Sequence, residues 1–149
     1  MRTVAEKAIR VGVLGRAEGP VPGYCQLGCG SLAENYAHRL PAGQGGPYTA
    51  GNGLGLCGSG TTGCHGQSER ARDLSYACGW LLRRGQDPDT TPALIVTALG
   101  ADWHILDDDG TGLTRLAEPG EITGWDYWPG TFADARAELD RLQPREGTP

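Results

Sequence analysis

The sequence predicts a small α+β domain stapled by a metal, and three observations carry that expectation. Two cysteine pairs, Cys25/Cys29 and Cys57/Cys64, fall close together in the first half of the chain. Short runs of strand composition alternate with amphipathic helical patterns. Gly accounts for 25 of 149 residues, against 38% hydrophobic and 7% aromatic residues. Such a chain makes many turns and has little material for a core, so it needs a staple.

Residues 3–14 (TVAEKAIRVGVL) set Val4, Ala8, Val11 and Leu14 at helical spacing, with Thr3 and Glu6 as a capping box. Gly19 to Gly23 (GPVPG) reads as a stiff connector. Tyr24 to Gly30 (YCQLGCG) reads as a zinc knuckle, a tight turn whose backbone N–H groups face a thiolate. Residues 34–40 predict a strand ending at His38, 42–51 a loop, and 53–57 a strand with Leu54 and Leu56 inward. A helix is expected from Cys64 to about Arg84, with Ala71, Leu74, Ala77, Cys78, Leu81 and Leu82 on one face. Strands are expected at 93–98 and 103–106 around a turn at Gly100–Asp102, followed by a turn at Asp107–Gly110 and a third strand at 121–128. A last helix spans 131–142 with Thr131 as N-cap, and the tail from Gln143 is expected to fray. The expected divisions are an N-terminal helix and linker (1–23), a central domain (24–85) and an acidic, β-rich C-terminal extension ending in a helix (86–149).

No run of 18 apolar residues is present, so no membrane span is expected. Glu6 and Lys7 stand where an export signal requires an apolar run. A cytoplasmic setting is therefore expected, in which thiols favour metal over disulfides. The net charge of −5 is unevenly spread: residues 1–84 carry nine Lys/Arg against five Asp/Glu, and residues 85–149 carry four against thirteen. A basic half can meet phosphate while an acidic tail repels it.

The spacings C-x3-C and C-x6-C allow Cys25, Cys29, Cys57 and Cys64 to form one tetrahedral thiolate site suited to structural zinc. The residues between Cys57 and Cys64 are small, so that loop can bulge without disturbing its ends. Cys78 falls on the apolar helix face and reads as core, and His104 reads as structural.

The run A-H-R-L-P-x-G-x-G-G (37–46), then N-x-x-x-L-C (52–57), then G-C-H-G (63–66), resembles the HNH endonuclease family, in particular the small zinc-stapled versions encoded by actinobacterial phages. The resemblance extends over about residues 24–110. It implies a ββα-metal (His-Me finger) core with structural zinc knuckles, followed by a C-terminal β-hairpin and helix. It implies DNA as partner, with phosphodiester hydrolysis as the activity and genome processing or packaging in a bacterial host cell as the setting. A packaging-machinery partner would fit that setting. In that scheme His38 is the general base, near-neutral titration suiting it to the task. Asn52 orients His38 or its loop, and His65 ligates a divalent catalytic ion. Glu69, one helical turn after His65, shares its face and suits magnesium or manganese, with zinc or nickel as alternatives. Arg39, Arg70 and Arg72 flank this region as candidate DNA-phosphate contacts. One departure stands out: where the family carries a further ligand before the general base, this chain has Ala37. The competing expectation is therefore a zinc-stapled binding module with weak or no catalysis.

Overall fold

The computed structural model describes residues 3–14, 23–97, 100–106, 114–122 and 126–143. The architecture is mixed α+β with two small sheets. Helix α1 (Val4–Leu14) opens with the expected capping box, Thr3 and Glu6 each bonding the other's backbone N–H at 2.9 and 3.1 Å. Its inward face differs from the one the periodicity suggests. Val4 and Val11 are 84% and 73% exposed, and Val13 is the buried residue. The reason is backbone contact: a Cβ on Gly55 would lie 2.9 Å from the Val13 carbonyl, so the helix end sits directly on a glycine of the neighbouring strand.

That strand belongs to an antiparallel pair, β1 (Asn35–His38) and β2 (Gly53–Leu56), in register from Asn35↔Leu56 to His38↔Gly53. Leu54 and Leu56 are buried as expected. Gly53 leaves room for the ring of Tyr36, which a Cβ there would meet at 2.1 Å.

The chain then forms α2 (Gly63–Arg70) and α3 (Arg72–Ala77), where the sequence suggests one helix to about Arg84. The break lies at Ala71 (φ −91°, ψ 64°), and Gly79 at φ +71° turns the chain before Trp80. Leu81 and Leu82 are buried without being helical, so their apolar spacing reports core contact rather than helix.

The second sheet has the order β3-β4-β5, with β3 (Ala93–Thr97), β4 (Gly100–Ile105) and β5 (Arg115–Leu116) all antiparallel. Thr97 pairs with Gly100, so Gly100–Asp102, expected as a turn, belong to β4. The third strand of this sheet is at Arg115–Leu116; of the strand expected at 121–128, residues 123–125 lie outside the described residues and 126–128 are not in a strand. Pro119–Glu121 form a 3-10 turn, and Trp128 packs against the core with its N–H bonded to Ala77 O at 2.9 Å. Helix α4 (Phe132–Leu142) begins at Thr131 with a full capping box, Asp134 N–H donating to Thr131 Oγ1 at 3.1 Å. The expected connector at 19–22, the turn at 107–110 and the tail beyond Gln143 lie outside the described residues.

The two sheets meet at Gln26. Its N–H donates to Gly55 O at 2.9 Å and its carbonyl accepts from Val96 N at 2.9 Å. Its side-chain oxygen accepts from Gly55 N at 2.7 Å. One buried cluster runs from Leu27 and Leu54 through Trp80, Ile95 and Leu106 to Ala135 and Leu139. Residues 24–85 and 86–149 therefore share a core.

Candidate metal centre and its surroundings

The four cysteines come from two turns. In the first, Gly28 N–H bonds Cys25 O at 3.0 Å and Cys25 N–H bonds Ser31 O at 2.8 Å, curling residues 25–31 round Cys29. In the second, Cys57 directly follows β2 and Cys64 lies in the first turn of α2. Gly58 (φ +81°) makes the intervening loop possible, because a Cβ there would lie 2.2 Å from Thr62 O. Helix α2 lacks a side-chain cap. Cys57 takes that role: its sulfur accepts from Cys64 N at 3.3 Å and its carbonyl from His65 N at 3.1 Å. Free N-terminal amides of a helix suit a thiolate.

The four Sγ atoms lie within 4.8 Å of one another, with Cys29 and Cys57 at 3.5 Å. Thiolates on a tetrahedral zinc, with Zn–S near 2.3 Å, stand about 3.8 Å apart. The spacing fits such an ion, and all five cysteines are free rather than disulfide-bonded. Crowded together, the thiols share protons unevenly. Hydrogen bonding from Cys25 brings Cys57 down to about 6 and holds Cys29 well below the usual thiol range, while Cys25 is pushed up in return. A bound cation would complete the deprotonation. Cys78 stands apart in the core, its thiol pushed up to about 12 by burial.

Arg136 of α4 reaches this cluster, donating to Cys64 Sγ at 3.0 Å and Leu27 O at 3.2 Å. Gln67, fully buried, accepts from Arg136 at 2.7 Å and donates to Asp140 and to Gln143 O at 2.9 and 2.8 Å. Neither residue is singled out by sequence reasoning, since the contact joins positions 72 apart.

His65 follows Cys64 and turns outward. Its Nε2 lies 3.7 Å from Glu69 Oε1, with side chains 16% and 33% exposed, so the one-turn spacing does bring the pair together. Its Nδ1 is buried and has no hydrogen-bond partner. His38 ends β1, edge-on to Tyr36 and Tyr48 at 5.0 and 5.7 Å between ring centroids, with the two tyrosines stacked at 4.0 Å. Among the described residues the four cysteines are the one group of three or more His, Cys, Asp or Glu clustered as metal ligands. Ala37 points the other way from His38, 5% exposed and inside the core cluster.

Asn52 is fully buried and holds the loop after His38. Its Oδ1 accepts from Leu40 N at 2.8 Å, and its Nδ2 donates to Leu40 O and Pro47 O at 3.0 and 2.9 Å.

Arg39 corrects the expectation of a phosphate contact. It is fully buried, and its guanidinium donates to the carbonyls of Gly79, Gly51, Pro88, Thr91 and Pro92 at 2.7–3.1 Å. A group so enclosed ties the fold and does not face solvent phosphate. Arg70 is partly committed as well, bonding Gln143 Oε1 at 2.9 Å and Thr61 O at 3.0 Å. Arg72 stays 48% exposed, bonds the Tyr76 hydroxyl at 2.8 Å and lies 4.0 Å from Glu69. Arg83, which sequence reasoning did not single out, stacks over the same Tyr76 ring at 4.1 Å. No helix among the described residues is long and apolar enough to cross a membrane. Comparisons with protein-family models, with curated proteins and with solved structures find no match to this chain.

Proposed function

We propose that the chain is a metal-dependent HNH endonuclease that hydrolyses DNA phosphodiester bonds, built on a zinc-bound tetrathiolate. The observation that supports this reading best is the order β1–β2–α2, with His38 at the end of β1 and His65 beside Glu69 in α2. Asn52 pins the loop that leaves His38, the role the HNH pattern gives its asparagine. In this reading His38 takes a proton from water. The resulting hydroxide attacks phosphorus, and the bond to the 3′ oxygen breaks with that oxygen taking a proton from solvent. A divalent ion held by His65 and Glu69 would offset the charge on the phosphate and the leaving oxygen. Arg72 is the exposed arginine nearest to Glu69 that suits phosphate. Genome processing or packaging in a phage-infected bacterial cell is the setting this reading suggests.

A second reading, a zinc-stapled nucleic-acid- or protein-binding module without catalysis, is favoured by Ala37, whose buried position supplies no ligand. Nicking of supercoiled plasmid by zinc-loaded protein with magnesium or manganese separates the two. The nuclease reading expects nicking that falls about 10²–10⁴-fold in His38→Ala. Failure of folded, zinc-loaded wild type to nick with any divalent ion tested overturns the nuclease reading and favours the binding module.

A further inference from the structure

We propose that Arg136 is the counter-cation of the tetrathiolate centre, and that through it helix α4 and the bound metal hold each other in place. The proposal rests on the four-cysteine zinc reading.

Four thiolates on a divalent ion leave about two net negative charges in a low-dielectric setting. Such charge calls for N–H donors and a nearby cation, as residues hydrogen-bonded to the ligands commonly supply at metal sites. The Arg136 side chain is 14% exposed, so its charge is largely withdrawn from water and needs compensation. Asp140 answers part of this at 2.6 Å, but it is 51% exposed and its pull is weakened by solvent. The sulfur of Cys64, 3.0 Å away, is the more enclosed partner.

The guanidinium is also aimed. Gln67 Oε1 takes one terminal nitrogen at 2.7 Å, and Gln67 is itself fixed by Asp140 and the Gln143 carbonyl. The other terminal nitrogen is left to Cys64 Sγ and Leu27 O. Leu27 lies between Cys25 and Cys29, so one side chain from α4 touches both cysteine turns. Coupling of this kind is reciprocal: a bound ion seats α4, and a seated α4 retains the ion.

The test uses the full chain loaded with zinc and titrated with a chromophoric chelator. Arg136→Met is expected to weaken zinc retention about 10–100-fold, and to speed amide hydrogen exchange in residues 132–142 while zinc is bound. Arg136→Lys keeps the charge and is expected to recover most of the loss. Glu138→Gln, whose partner on α4 is Arg141, is expected to hold zinc as wild type does. Should Arg136→Met not fold, Arg136→Gln carries the comparison, removing the charge while keeping an amide donor. Zinc held as tightly in the neutral variant as in wild type overturns the proposal, and so does a lysine variant as weak as the neutral one. Wild type that binds no zinc overturns the tetrathiolate reading beneath it, a result distinct from a zinc-binding wild type indifferent to residue 136.

Discussion

Replacing Arg39 with methionine is expected to destabilise the fold. The side chain is fully buried and donates to five main-chain carbonyls, drawn from 51, 79, 88, 91 and 92. A hydrogen bond from a charged donor contributes roughly 1.5–3 kcal/mol net, but bonds made by one group do not add. Methionine refills part of the volume and leaves the carbonyls without donors. A loss of about 4 kcal/mol is expected, since each buried carbonyl left without a donor costs about 1–3 kcal/mol and the costs do not simply add. With a urea slope of about 2 kcal/mol/M, the unfolding midpoint should drop by about 2 M. Against a typical total of about 5–15 kcal/mol, that is a large share. Arg39→Lys should lose somewhat less, since an ammonium offers three donors and no fork. A folded Arg39→Met variant with an unchanged midpoint and selectively weakened DNA binding would refute the reasoning and restore Arg39 as a phosphate contact.

Two further outcomes follow from the titrating groups. His104 is fully buried, with Nδ1 3.0 Å from Thr114 Oγ1, and burial holds its pKa below 6.5. The unfolded chain therefore takes up a proton that the folded chain resists. Stability should be full above about pH 6.5 and fall as pH drops from there towards the lower folded value, by at most about 1.4 kcal/mol per pH unit. Urea midpoints at pH 7.5 and 5.5 read this, and His104→Gln should flatten the difference; an equal slope in both proteins would contradict it. Cys57→Ser removes one ligand of the proposed zinc and the cap of α2 together. Structural zinc supplies about 10–16 kcal/mol in small zinc domains, so the variant should lose both zinc and its cooperative thermal transition. A Cys57→Ser protein that melts like wild type would count against a structural ion, whereas Cys78→Ala should keep its zinc.

What could be read from the sequence was mostly local. The capping boxes at Thr3 and Thr131, the end of β1 at His38 and the pairing of Cys25/Cys29 with Cys57/Cys64 each depend on residues a few positions apart, or on chemistry that only one arrangement satisfies. The His65–Glu69 pair was legible for the same reason. What failed depended on distant partners. The apolar spacing beyond Ala77 suggested helix, yet Leu81 and Leu82 reach the core after the turn at Gly79. The run ending at Trp128 suggested a strand, but the Trp128 ring packs on the core and its backbone N–H goes to Ala77 O. Arg39 next to a candidate catalytic histidine suggested phosphate. Its carbonyl partners lie 12 to 53 residues away, and nothing near it in the chain announces them.

Asn52 has a consequence for the lifetime of the molecule. It is followed by Gly53, and in a loose chain an asparagine before glycine readily closes its side chain onto the next backbone nitrogen, expels ammonia and reopens as an acid. In the folded protein three hydrogen bonds hold that amide, and Gly53 N is turned to Ala50 O. Ring closure has to wait for the loop to open. The product would then set a carboxylate against the carbonyls of Leu40 and Pro47, so a chain that has aged in this way does not regain the same loop on refolding. Shelf life is thereby governed by how often this segment opens, and only secondarily by the temper of its asparagine. Peptide maps across residue 52, after equal times in native buffer and in urea, should find the acid in the second sample alone.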